Sequence, residues 1–285
     1  MIGRIYVEIG NICNLHCSFC PSTTREARRM TKEEFELVCK RVKGKTKQLF
    51  FHVMGEPLFH PELATFLDIA KSYGFKTCIT TNGTLIKLRE EELLARADAI
   101  HRISISLHSI EGNGAENSLE KYLETVIDFA KRAAERGIYV VLRLWNLDST
   151  EKDGKNDENE FIEGVLGREF PEKWQKRWSG YRLAKGIFLE YAGIFTWPSE
   201  SEAEEREEGF CHGLTDQIAI LADGTVVPCC LDSEGIIDLG NIFTEELDTI
   251  LSSERAMRMR SCFEQGKMAE ELCKKCTYAR RFKSK

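Results

Sequence analysis

Three cysteines, Cys13, Cys17 and Cys20, stand three and then two residues apart directly after the apolar run Ile5 to Ile9. Ile2 to Ile9 alternates or runs apolar, with Tyr6 and Glu8 on the opposite parity, and reads as a strand whose C-terminal end delivers the thiols as a loop. Reactive loops at strand ends suit a β/α barrel. Thiolates are soft ligands for zinc and for iron–sulfur clusters, and a cubane held by three of them keeps one iron open to a small molecule. Zinc sites usually show two close pairs, not one triplet. A ferredoxin-like run needs a fourth nearby cysteine, and the next, Cys39, falls inside a predicted helix from Thr31 to Lys43 with Thr31 and Glu34 as a capping box. Inert buried thiols are common singly but not as a spaced triplet.

With the aromatic Phe19 just before its third cysteine, the triplet resembles the signature of the radical S-adenosylmethionine (SAM) superfamily. The resemblance implies that Cys13, Cys17 and Cys20 hold a 4Fe-4S cluster whose open iron chelates the amino and carboxylate groups of SAM. One electron from that cluster then releases a 5'-deoxyadenosyl radical. The implied fold is α/β, a partial (β/α)6 barrel over 1–198.

Other strand ends carry matching residues. Gln48 to Met54 reads as a strand ending in Gly55-Glu56-Pro57, which resembles the family's glycine-rich motif that receives the SAM amino group, although Met54 stands where the family often has another glycine. Phe75 to Thr80 closes on Thr81-Asn82-Gly83-Thr84, which resembles the family's third-strand ending and reads equally as a plain Asn-Gly turn. Strand alternation puts Ser104 and Ser106 on one face, and the family uses serines here against SAM, which singles out Ser106. Arg143, within the apolar strand Val140 to Asn146, is costly to bury unless paired. A SAM carboxylate, Glu8 or Glu190 are its candidate partners. Ile187 to Tyr191 reads as the last barrel strand. Glu8, His52, His108 and Glu190 are candidates to face the interior, and Glu190 is the catalytic candidate among them. Trp174, Trp178 and Tyr181 belong to an aromatic segment that either covers the barrel mouth or packs as an ordinary excursion. Arg25, Arg28 and Arg29 read as a solvated face.

A second cysteine group follows the acidic stretch Glu200 to Glu208, where the boundary to a region over 199–285 is placed. Asp223-Gly224 between two apolar runs predicts a hairpin that brings Cys211 and Cys229 within reach of one centre, and Cys273 and Cys276 have the two-residue spacing that lets both grip one metal. Spacing alone suits zinc as well as a 4Fe-4S cluster. The order of hairpin, Gly240-Asn241-Ile242 and terminal pair resembles the SPASM/twitch module, in which four cysteines hold an auxiliary 4Fe-4S cluster. The longer cysteine run of full SPASM modules is missing here, which points to the one-cluster twitch form. Cys230 and Cys262 remain as substitutes for one of the four.

The 285 residues suffice for a full core, and 42% hydrophobic with 30% charged residues is ordinary for a soluble protein. The net charge of −6 argues against a nucleic-acid partner. No signal peptide or membrane span is visible, so a cytoplasmic protein without membrane association is expected. The expected function is an oxidoreductase-type radical SAM enzyme that abstracts a hydrogen from a small polar molecule or a peptide, with net oxidation or bond formation. An external one-electron reductant of flavodoxin or ferredoxin type is expected to serve it. A first strand so close to Met1 is expected to disfavour leader-peptide binding. The alternative is a non-catalytic iron–sulfur or zinc protein acting as electron carrier or scaffold.

Overall fold

The computed structural model describes residues 2–113, 118–147, 157–194, 196–199 and 205–281. Strand and helix alternate from the N-terminus: β1 (Arg4–Val7), α1 (Lys32–Val42), β2 (Gln48–Phe51), α2 (Leu63–Ser72), β3 (Lys76–Thr81), α3 (Ile86–Leu94), β4 (Ile100–Ser106), α4 (Leu119–Glu135), β5 (Tyr139–Leu147) and α5 (Asp157–Glu169). The hairpin β6 (Gln175–Arg177) and β7 (Gly180–Ala184) leads into β8 (Ile187–Gly193). A second hairpin follows, β9 (Gln217–Ile220) and β10 (Val226–Val227), and then α6 (Leu247–Leu251), α7 (Glu254–Glu264) and α8 (Glu271–Lys274).

Local sequence explains these elements. Thr31 and Glu34 close a full capping box on α1, and the Ser118 hydroxyl accepts from Lys121 N at the start of α4. Strand alternation sends Ile5, Val7, Leu49, Phe51, Ile79, Ile103, Ile105, Val140, Leu142, Ile187 and Leu189 outward into the main core beneath the helices. The opposite parity faces the concave side of the sheet.

The strands among the described residues form one ten-stranded sheet in the order β10-β9-β1-β2-β3-β4-β5-β8-β7-β6. β1, β2, β3, β4, β5 and β8 are successively parallel, which is the expected six-stranded partial barrel. Its registers stack the concave side chains in layers. Tyr6, Phe50, Cys78, Arg102 and Tyr139 make one row, and Thr80, Ser104, Val141 and Phe188 the next. Ser106, Arg143 and Glu190 form the row nearest the C-terminal rim.

The C-terminal region is bound into this sheet. β9 runs parallel to β1, with Ile5 opposite Ile218 and Val7 opposite Ile220, so the hairpin lengthens the barrel wall. Gly224 turns the hairpin at φ +87°, and Asn241 Nδ2 donates to Asp223 O at 2.9 Å, which fastens the Gly240-Asn241-Ile242 segment to the turn. Arg41 of α1 donates to Glu245 O at 2.7 Å and Lys45 meets Asp248 at 2.6 Å, tying the barrel's outer layer to the start of α6. Residues 200–204 of the acidic stretch, and most of the polar loop Ser149 to Asn159, lie outside the described residues. No helix among the described residues is long and apolar enough to cross a membrane.

Candidate active site

The loop after β1 carries Cys13, Cys17 and Cys20 over the C-terminal rim of the barrel, and a buried carboxylate fastens it there. Glu8, almost wholly inaccessible, accepts from Arg25 Nη2 on both oxygens at 2.8 Å, from Met54 N at 3.0 Å and from Ala222 N at 3.2 Å. Four hydrogen bonds to one carboxylate satisfy it, as burial requires. They also join three segments: the cysteine loop, the end of β2 and the turn after β9. Arg25 Nε donates to Ser233 O at 2.8 Å, and Arg28 Nε donates to Ala222 O at 2.9 Å. Two of the three arginines expected on a solvated face, Arg25 and Arg28, therefore clamp the loop to the C-terminal region, while Arg29 lies over the Phe59 ring. Glu8 is used up in the same contacts, which removes it both as a partner for Arg143 and as a free base.

Gly55-Glu56-Pro57 packs against the backbone that leads into Cys13. Gly55 has φ +78°, and a Cβ there would overlap Gly10 O and the Asn11 backbone, so glycine is needed for a close approach of chain to chain. Glu56 N donates to Ile12 O at 3.0 Å. The Glu56 carboxylate turns inward and accepts from Leu58 N at 2.8 Å and Asn82 N at 2.7 Å. Burial outweighs those two donors and pushes its pKa up to about 7.

Asn82 bridges to the cysteine loop. Its Nδ2 donates to Asn14 Oδ1 at 3.0 Å and lies 3.9 Å from Cys13 Sγ, and its Oδ1 accepts from the Thr84 hydroxyl at 2.7 Å. On the far side of the loop Cys17 Sγ donates to Ser109 O at 3.7 Å, and the Phe19 ring lies 4.8 Å from the His108 ring. His108 Nδ1 is 3.2 Å from Arg143 O. The three thiols are thus seated among the ends of β1, β2, β3, β4 and β5. Burial raises the Cys13 pKa, with Glu56 and Cys20 adding to it.

Beneath the loop the inner face is polar. Ser104 is buried with its hydroxyl lacking a hydrogen-bond partner among the described residues, and Ser106 lies half-buried one layer higher, opposite Arg143. Arg143 faces Glu190 in register, Nε to Oε2 3.8 Å, and its guanidinium lies 4.3 Å from the Trp145 ring centroid. Of its two protein candidates, Glu190 is the one that faces it, Glu8 being bonded to Arg25 and Met54. Burial pulls the Arg143 pKa down to about 10 against the opposing pull of Glu190. His52, 4.8 Å from the Tyr6 ring, is driven down to about 3 by burial and by Arg143, Arg102 and Arg4, and so stays neutral. Trp174, Tyr181 and Tyr191 form a chain of ring contacts of 5.8 Å and 6.3 Å beside β8, while Trp178 is fully exposed at the β6–β7 turn.

The second thiol group lies at the other end of the hairpin. Cys211, Cys229, Cys273 and Cys276 are near enough to disturb one another's ionisation: burial raises Cys211 to about 11, with Cys276 adding to it, and Cys229 and Cys273 are raised by burial and by Cys211. Cys230 packs against the small inner cluster of Tyr6, Phe50 and Cys78, and it is also near enough to Cys229 and Cys276 to couple with them. None of the eleven cysteines forms a disulfide. No three metal-binding side chains among the described residues are grouped as one ion requires. An all-thiol donor set suits iron–sulfur clusters and zinc alike.

Comparison with known proteins agrees with this geometry. The chain is 30% identical over 115 residues to an S-adenosylmethionine-dependent nucleotide dehydratase of Selenomonas ruminantium, a stretch covering 39% of this chain and 40% of that protein. It is 26% identical over 114 residues to the GTP 3',8-cyclase of Chlorobaculum tepidum, covering 39% and 34%. The chain thus matches less than half the length of either relative. In fold it is similar to BtrN in complex with AdoMet and 2-DOIA, with TM-score 0.61 at 15% identity over 97% of this chain and 93% of that one. It is similar also to anSMEcpe with bound AdoMet and the Cp18Cys peptide, with TM-score 0.60 at 14% identity over 96% and 86%. Residues 211–277 match the SPASM iron-sulfur cluster-binding domain. Residues 7–155 match the Radical SAM superfamily, and with the cysteine loop seated on a six-stranded parallel half-barrel, the chain belongs to that superfamily and ends in a SPASM domain.

Proposed function

We propose that the chain is a radical SAM enzyme in which Cys13, Cys17 and Cys20 hold a SAM-binding 4Fe-4S cluster and Cys211, Cys229, Cys273 and Cys276 hold one auxiliary 4Fe-4S cluster. The observation that carries this reading is the seating of the three thiols at the rim, with Asn82, Ser109 and His108 around them and, below, a Ser104 hydroxyl without a hydrogen-bond partner among the described residues. When bound, the first cluster supplies the electron that cleaves SAM to a 5'-deoxyadenosyl radical, which abstracts a substrate hydrogen.

The chain's own residues bind and orient. The Gly55-Glu56-Pro57 backbone receives the SAM amino group. Its Glu56 side chain holds that segment against Asn82 and so fixes the rim. Ser106 and Arg143 receive the SAM carboxylate, with Glu190 keeping the buried guanidinium ionised until then. Phe19 packs against His108 beside the third thiol's loop. Glu190 is the group we assign to exchange a proton with substrate, a role its position beside Arg143 in the row nearest the C-terminal rim supports. The half-barrel walls exclude water from the reaction, and an external reductant of flavodoxin or ferredoxin type delivers the electron.

Net oxidation or bond formation on a small polar molecule or a peptide is the outcome we assign, with the auxiliary cluster as electron acceptor. The relatives named above act on nucleotides or are seen with 2-DOIA or a peptide. The test is 5'-deoxyadenosine formation from SAM and dithionite by reconstituted protein and by Arg143→Gln. Wild type forms it, and the variant requires at least about tenfold more SAM, the cost of one charge-assisted contact. No deoxyadenosine from wild type overturns the reading.

A further inference from the structure

Two arginines at one side of the barrel, Arg102 and Arg177, have no ion-pair partner among the described residues. A pocket of about 280 Å³ opens there between β4, β5, β8 and the β6–β7 hairpin. Arg102 and Arg177 line it, and Glu190 is the one carboxylate among its lining residues. Glu190 already faces Arg143, and Glu8 is taken by Arg25. Arg102 rests 5.9 Å from the Phe50 ring centroid.

Buried polar atoms point the same way. Arg102 Nε, Ser104 Oγ, Arg143 Nε and His52 Nδ1 are all inaccessible and lack a hydrogen-bond partner among the described residues. Ser104 is 1% exposed and sits one layer above Arg102 on the same strand. Buried donors left unmade are costly, and an unpaired buried guanidinium is more so. An apolar occupant of the pocket would leave Arg102 Nε, whose residue lines it, unsatisfied. A cationic one would add repulsion. The planar fork of arginine matches an oxyanion with two parallel hydrogen bonds.

We propose that this pocket binds an oxyanionic group of the substrate, a phosphate or a carboxylate, held by Arg102 on the floor and Arg177 at the edge. The substrate is therefore an anionic small molecule or an anionic end of a larger one, presented below the cysteine rim. This inference rests on reading the barrel interior as the substrate chamber.

The test is calorimetric titration of the full-length reconstituted protein, without SAM, by phenyl phosphate and by benzoate at low ionic strength. Wild type, Arg102→Gln, Arg177→Gln and Arg96→Gln are compared, the last removing a surface arginine paired with Asp68. One of the two anions is expected to bind wild type and Arg96→Gln alike and to bind both pocket variants at least about tenfold more weakly. The anion that binds identifies the oxyanion. Arg177 is exposed, so its variant keeps the test alive should Arg102→Gln fold poorly. Failure of both anions to bind wild type, or equal binding by the pocket variants, overturns the proposal. SAM cleavage measured on the same preparations separates the two readings: lost cleavage with intact anion binding sinks the radical reading alone, and the reverse sinks only the pocket.

Discussion

Arg25 Nη2 lies 2.8 Å from both carboxylate oxygens of Glu8, and that pair holds the cysteine loop to the barrel and to the C-terminal hairpin at once. Removing one member leaves the other buried without its charge partner. Arg25→Ala is therefore expected to cost about 3 kcal/mol of stability. Urea unfolding of wild type and variant checks this, and a loss below about 1 kcal/mol would return the pair to the class of ordinary surface bridges.

Gly55 supplies a second, independent constraint on the same loop. An alanine at φ +78° is strained, and its Cβ would meet the backbone of Gly10 and Asn11. Gly55→Ala should destabilise by at least about 2 kcal/mol. Thermal unfolding that matches wild type would show that the approach is looser than described.

Glu56 makes stability depend on pH. In the folded chain its pKa is about 7, against an ordinary 4.5. The folded state binds the extra proton, so stability is fully present below pH 4.5, falls as pH rises towards 7 and is flat beyond, by about 3 kcal/mol in all. Unfolding midpoints at pH 5 and 7.5 should differ in this sense for wild type, and the difference should shrink in Glu56→Gln. An equal slope in both would assign it to another group.

The partial barrel was legible because its signals are local. The period-2 strands, the Thr31–Glu34 box and the Asp223-Gly224 turn each lie within a few residues. Parity set Tyr6 and Glu8 apart from the apolar positions of the first strand and put Ser104 and Ser106 on one face. Partner identity was not legible, since alternation says which face a side chain takes and nothing of which strand lies beside it. The pairing of β9 with β1 and the meeting of Arg143 with Glu190 are register facts. Arg25 and Arg28 looked like solvated charge because their acceptors, Glu8 and Ala222 O, come from distant segments. The Glu56 carboxylate is spent on two backbone donors, which no motif announces.

The auxiliary thiols give a separable prediction. Cys273→Ala with Cys276→Ala should lower iron content by about half while the first cluster remains. Iron and sulfide analysis decides it, and unchanged iron would exclude these residues as ligands.

The central claim is that Cys13, Cys17 and Cys20 carry the radical chemistry. Reconstituted wild type and the triple Cys→Ala variant at those positions should be compared anaerobically with SAM and dithionite, with iron and 5'-deoxyadenosine measured together. The account predicts deoxyadenosine from wild type only, with the variant retaining about half the iron. Deoxyadenosine from the triple variant, or none from an iron-loaded wild type, would contradict it.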